Sequence, residues 1–291
     1  MKYIQLLMAT VLLTLLTVSC DQDLPYPLED VKKGVVIDIV RSEGTDGVLS
    51  AGTTTGNYKV KMSIPSQQGD YSMLDYAQLL CVFTDAAGKS ISKVVVDNVK
   101  SFRTEITIDL ADVYAKLGKD KPSLGEVVYF TSNAVLKDGY VVAGWNEYSG
   151  FNNKTFTGWQ VDGRAYSYNV RYPVACPLVL DDFVGEVTIS DPGFYEGDYT
   201  ATVVKNSDTE LEIRGFIGEA APNGILKIKV DASTHSVSVA KQVVLPTFGS
   251  YHNLSYQAVG TIDACNGSIT LNGPMTVDEG SFGDFRMTIK N

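Results

Sequence analysis

Histidine is nearly absent from this chain: His235 and His252 are the only two in 291 residues. With no His-x-x-x-His and no Cys-x-x-Cys pair, a zinc centre of ordinary spacing is disfavoured, and no metal or cofactor is expected. His235 ends the turn-like Asp231-Ala232-Ser233-Thr234-His235, where solvation is the simplest reading, and His252 sits in a polar-aromatic loop, Ser250–Asn253. A Gly-x-Ser-x-Gly elbow is missing too. A triad assembled from distant residues stays open, but no catalytic residue is nominated and no enzymatic activity is expected. Basic charge is also short, since 24 Lys and Arg against 34 Asp and Glu leave a net −10 with no basic run. A surface of that sign repels phosphate backbones, so nucleic acid is not an expected partner. The acidic pairs Asp181-Asp182 and Asp278-Glu279 do not fit an EF-hand loop and read as solvated turn carboxylates. Choosing two of the many acids as a glycosidase pair has no positional basis.

The N-terminal apolar run is too short to span a bilayer. Ile4–Val18 has 15 residues, interrupted by Gln5, Thr10, Thr14 and Thr17, where about 20 are needed. Met1-Lys2-Tyr3 precedes it and Ser19-Cys20 follows, which is the layout of a secretory signal peptide over 1–19. Leu16-Thr17-Val18-Ser19-Cys20 resembles the lipobox of bacterial lipoproteins, with Thr17 where Leu is commoner. The resemblance implies that Cys20 is acylated, becomes the mature N-terminus and holds the protein to a membrane through lipid. Residues 20–33 are acidic and proline-bearing, and such a stretch acts as an extended tether. Asp21-Gln22-Asp23 directly after the cysteine resembles the surface-export signal of Bacteroidetes lipoproteins, which implies an outer-membrane, cell-surface location.

Three cysteines remain. Cys81 lies in the apolar Leu79–Phe83 and is expected as a buried thiol. Cys176 and Cys265 could close a loop of about 90 residues, worth ~4–5 kcal/mol in the chain-entropy model.

Period-two alternation runs through the rest, as at Tyr58, Val60, Met62 and Ile64, at Phe102, Thr104, Ile106 and Ile108, and at Tyr166, Tyr168, Val170 and Tyr172. Such alternation predicts half-buried strands. Asp138-Gly139 between apolar runs predicts a hairpin. Asp109 and Gly118 bracket one short predicted helix, Leu110–Leu117. The fold class is therefore all-β: an immunoglobulin-like sandwich with one short helix over 34–172, then an antiparallel meander or small β-barrel over 173–291. The second part offers eight strand candidates, Phe183–Ile189, Tyr199–Lys205, Glu210–Arg214, Ile225–Val230, Ser236–Val244, Tyr256–Ile262, Ser268–Leu271 and Phe285–Ile289.

Two stretches carry a family resemblance. One is Leu124–Phe130 with Leu136-Lys137-Asp138-Gly139 and the aromatic stretch after it. The other is Tyr172–Pro177 with Phe183-Val184-Gly185-Glu186 and Val259–Gly267. Together they resemble the accessory surface lipoproteins of SusC/SusD-type nutrient-uptake loci in Bacteroidetes. The resemblance implies an outer-membrane uptake complex as partner and a role in glycan capture; it carries over no catalytic motif.

Aromatics concentrate in Tyr140–Tyr172, which holds nine of them, including both tryptophans of the chain. Trp145, Tyr148 and Trp159, set among Asn146, Asn152, Asn153 and Gln160, are the ligand-binding candidates. An aromatic face can lie against a pyranose while amides meet its hydroxyls. Packing in the core or between domains is the competing account of the same rings, above all for Tyr166, Tyr168 and Tyr172. The function expected is that of a non-enzymatic surface lipoprotein accessory to nutrient uptake. A structural or protein-interaction lipoprotein comes second, and a glycan-active hydrolase third.

Overall fold

The computed structural model describes residues 34–152, 160–194 and 197–291. The signal segment 1–19, Cys20, the tether 20–33 and Trp159 lie outside the described residues. Within them, no helix is long and apolar enough to cross a membrane.

The first half is a two-sheet sandwich. One sheet has the order β1 (Asp38–Arg41), β3 (Lys59–Ser63), β6 (Thr104–Thr107). The other has the order β2 (Leu49–Ser50), β13 (Val170–Ala175), β7 (Val127–Leu136), β4 (Leu74–Thr84), β5 (Ser90–Val99), with β8 (Val141–Val142) against β7. The first strands divide between the sheets, and β2 runs parallel to the last strand, β13, while every other pair is antiparallel. This is the strand exchange of an immunoglobulin-like sandwich. Alternation fills the space between the sheets: Val60 and Met62 face Leu79, Cys81 and Phe130, all at most 1 % exposed. Tyr172 meets Tyr58 and Phe130 edge-on, at 5.8 and 5.6 Å between ring centres. Helix α1 (Leu110–Lys116) starts where Asp109 Oδ1 accepts the Ala111 and Asp112 amides, and it stops at Leu117 before Gly118, whose φ is 72°.

One sequence expectation changes here. Tyr166 and Tyr168 do not continue β13, which begins only at Val170. The buried Asp38 carboxylate draws this segment to the opposite sheet. It accepts the Ser167 amide at 3.0 Å and the Arg164 guanidinium through both Nη atoms, and Ile39 N donates to Ser167 O. β13 itself runs on past Tyr172 to Ala175.

The second half is a closed, antiparallel, up-and-down barrel. Its strands are β14 (Gly185–Ser190), β15 (Tyr199–Ser207), β16 (Glu210–Arg214), β17 (Ile225–Asp231), β18 (Ser236–Phe248), β19 (Tyr251–Asp263), β20 (Ser268–Val277) and β21 (Gly280–Lys290). Pairing of Ile189 with Ile289 closes the ring, so each barrel strand has a neighbour on both sides. Ile189, Leu211, Ile228, Leu254, Leu271 and Met287 fill the interior, none more than 1 % exposed, so the barrel encloses a packed core.

Its two ends differ. Turns 208–209, 232–235 and 264–267 sit at the end nearest the sandwich, where Gly47 N donates to Ser233 O at 2.7 Å. The Cys176–Cys265 disulfide lies at the same end, with Cα atoms 5.2 Å apart. Residues 191–194 and 197–198, between β14 and β15, and the loop 215–224 lie at the far end. His252, expected in a loop there, opens β19, because the β18–β19 hairpin runs on to residues 249–250.

Candidate functional site

The sandwich departs from regular sheet where its aromatics concentrate. After the Asp138-Gly139 turn, with Gly139 at φ 83°, β8 pairs with β7 for only two residues. Gly144 then lies directly on β7. Its amide donates to Asn133 Oδ1 at 3.1 Å, and a Cβ there would overlap Ser132 O and Thr131 Oγ1. Only glycine permits that approach, and it aims the chain outward into a small hairpin of β9 (Trp145–Asn146) and β10 (Gly150–Phe151). Asn146 holds the hairpin turn: Oδ1 accepts the Tyr148 and Ser149 amides at 3.0 and 2.9 Å, and Nδ2 donates to Ser149 Oγ at 2.7 Å.

The three sequence candidates fall differently. Tyr148 caps the hairpin and is 92 % exposed. Trp145 is half-buried, opposite Phe151 across the two strands. Trp159 is outside the described residues. Phe151 turns inward and rests on Tyr129 and Tyr168, with ring centres 5.2 and 6.1 Å away. Beside it is a depression of about 340 Å³ lined by Tyr140, Val142, Asn146, Phe151 and Asn152. That is at the small end of the ~300–1,000 Å³ range of ligand sites. Tyr140, half exposed, was not singled out from sequence. The Asp-Gly turn immediately before it is the signal that could have placed it at the rim.

Below this surface, β11 (Gln160–Val161) and β12 (Arg164–Ala165) are tied down through the Arg164–Asp38 pair. The hydrogen bonds to Asp38 push the Arg164 pKa up, and burial pushes up that of the Tyr166 hydroxyl.

Most other chemistry-bearing residues are engaged by near neighbours. His252 Nδ1 pairs with Glu279 Oε1 at 2.6 Å in solvent, a hydrogen bond that raises the imidazole pKa and lowers the carboxyl one. Asn253 Nδ2 donates to Asp278 Oδ2 at 2.8 Å, and Asp181 pairs with Lys205 at 3.1 Å. Thus each acidic pair expected to be merely solvated has at least one member bonded to a neighbouring strand. His235 is half-buried, not surface-solvated, and burial depresses its pKa. Cys81 is a buried free thiol, its pKa pushed up by burial to about 12. Among the described residues no group of three or more His, Cys, Asp or Glu is placed to hold a metal ion. No protein-family model, curated protein or solved structure matches the chain.

Proposed function

We propose that this chain is a non-enzymatic, lipid-anchored cell-surface protein that captures glycan for an outer-membrane nutrient-uptake system. The observation that carries the binding half is Tyr148, almost fully exposed on a turn fixed by Asn146, beside the depression edged by Tyr140 and Phe151. A large ring held rigidly in water costs hydration, and a ligand face laid on it recovers that cost. The neighbouring amides supply the polar part of such a contact. Anchorage rests on Cys20 and the acidic residues after it, and the uptake complex as partner rests on the family resemblance.

The test is titration of the mature chain with a panel of polysaccharides, followed by intrinsic fluorescence and repeated on Tyr140→Ala and Tyr148→Ala. Binding that falls about tenfold or more in these variants is expected, the size of one lost aromatic contact. A folded wild type that responds to nothing on a broad panel, or affinity untouched in both variants, overturns the reading. Anchorage has its own test: Cys20→Ser should abolish lipid labelling and release the protein from membranes.

One observation favours a protein-interaction role instead. At the far end of the barrel Tyr251 and Phe282 are 40 % and 37 % exposed, edge-on at 5.2 Å, and continue inward to Phe194, Phe248 and Phe285. Self-association that Phe282→Ser abolishes would put this reading first.

A further inference from the structure

The far end of the barrel holds a second concavity, built from different elements and different chemistry. An open groove of about 720 Å³ lies between the outer wall of β14–β16 and the 215–224 loop. Strand pairing sets its wall in rows. Glu186 faces Thr202, which faces Arg214, and Thr188 faces Thr200. All five are exposed, on the strand face opposite the packed interior. Tyr199 closes the groove at the barrel mouth, and Gly218, Glu219 and Pro222 form its loop side.

The loop is held in a shape that a plain connection does not need. Ile217 is buried at φ 74°, an outlier for a β-branched residue, of a kind that costs about 1–3 kcal/mol. Its amide donates to Tyr199 Oη at 3.2 Å, and Gly218 packs so tightly on the Tyr199 ring that an added Cβ would stand 3.1 Å from Cγ. Phe216, stacked on Tyr256 at 6.0 Å, plugs the mouth from the same loop. The groove is therefore preformed, and little ordering free energy opposes a ligand.

Its polar groups interleave donors and acceptors. Three threonine hydroxyls can each do both, Glu186 accepts, and Arg214 donates from a guanidinium whose Nε is already fixed on Glu212 Oε1 at 2.8 Å. Tyr199 and Pro222 add apolar surface. Hydroxyls of a sugar ring match the first set and its apolar face matches the second. The charge is one-sided, since Glu186, Asp198 and Glu219 outnumber Arg214 on a chain of net −10. Uronate and sulfate groups are repelled there.

We propose that this groove is a second carbohydrate site, one that takes short neutral oligosaccharides and rejects acidic ones. The inference rests on the glycan-capture reading and extends it to the barrel. Two sites on one anchored chain would hold a polymer through avidity, although each alone is weak.

The test uses the full mature chain, with neutral gluco-, xylo- and manno-oligosaccharides and an oligogalacturonate as probes. Calorimetry gives affinity, and amide chemical shifts locate the contact. At least one neutral probe should shift residues 186–188, 198–202 and 214–222, and the double variant Thr188→Val/Thr202→Val should bind it about tenfold more weakly, the size of one or two lost hydrogen bonds. Tyr148→Ala should leave the barrel shifts in place. Shifts confined to 140–152, with affinity unchanged in the double variant, overturn the groove while sparing glycan capture. No response to any probe overturns both. Oligogalacturonate bound in the groove as tightly as a neutral probe overturns the charge argument and with it the proposed selectivity.

Discussion

Among single residues, Tyr256 and Asp38 show how differently a buried polar group can be treated. The Tyr256 hydroxyl is buried in the barrel and has no hydrogen-bond partner among the described residues. Leaving such a group unpaired costs about 1–3 kcal/mol, so Tyr256→Phe should stabilise the protein by about 1 kcal/mol in urea unfolding. A clear loss of stability would mean that the hydroxyl serves a purpose. Asp38 is buried too, but four hydrogen bonds offset its desolvation: from both Nη atoms of Arg164 at 3.0 and 2.5 Å, the Ser167 amide at 3.0 Å and the Ser63 hydroxyl at 3.4 Å. Arg164→Ala removes two of them and strands a carboxylate. Breaking a buried pair costs about 3–5 kcal/mol, and Arg164 is 38 % exposed, so about 2–3 kcal/mol is expected after solvent screening. A loss below about 1 kcal/mol would show that Asp38 does not depend on it. Neither residue was legible in the sequence. Asp38 interrupts the continuous apolar run Val35–Val40, and its partner is 126 positions away.

Strands, helix and turns were far more legible, because their signals are local. Asp109 and Gly118 bracket α1 as expected, and all eight barrel strands arise from the expected segments. The extents of β18 to β21 were missed, and at β18 the reason is physical. Pro246 has no amide to donate, so it reads as a stop, yet the sheet takes it into β18 by slipping register between Val243 and Leu245. The aromatic surface was read only in part. Tyr148 stands exposed on the hairpin turn, and Trp145 is half-buried because Phe151 lies opposite it and Gly144 presses on β7. Nothing in Gly144's sequence surroundings indicates that contact. Gly144→Ala should push the β9–β10 hairpin off β7, costing about 1–3 kcal/mol and speeding amide exchange across 145–151. Unchanged exchange there would show that the hairpin does not depend on the close approach.

The molecule as a whole is tied together at the near end of the barrel, and acid should loosen that end first. The Cys176–Cys265 bridge spans 89 residues, and its loss in Cys265→Ser should cost about 2–4 kcal/mol. Asp263 fixes the turn that carries Cys265, accepting its amide at 2.9 Å, and Asp231 fixes the turn that meets the sandwich, accepting Ser233 N at 2.9 Å. Hydrogen bonding by Asn266 lowers the Asp263 pKa. At Asp231 burial acts upward, but the bonds from Ser233 and Thr234 together outweigh it. Carboxyls with depressed folded pKa values stabilise above their unfolded values, and that contribution is lost as pH falls below about 4. The histidines act earlier and in opposition. Burial lowers the His235 pKa, so its contribution is complete above about 6.5 and fades as pH falls from there. The hydrogen bond to Glu279 raises that of His252, whose contribution is complete below about 6.5 and fades as pH rises through the folded value. Thermal unfolding between pH 7 and pH 5 should therefore show His235→Asn losing less stability than wild type on acidification, and His252→Asn losing more. Asparagine also tolerates the φ of 53° that both His235 and Asn253 adopt, so the first variant adds no backbone strain. Parallel curves for the two variants would mean that neither imidazole changes its surroundings on folding, and that the near end owes its acid response to the aspartates alone.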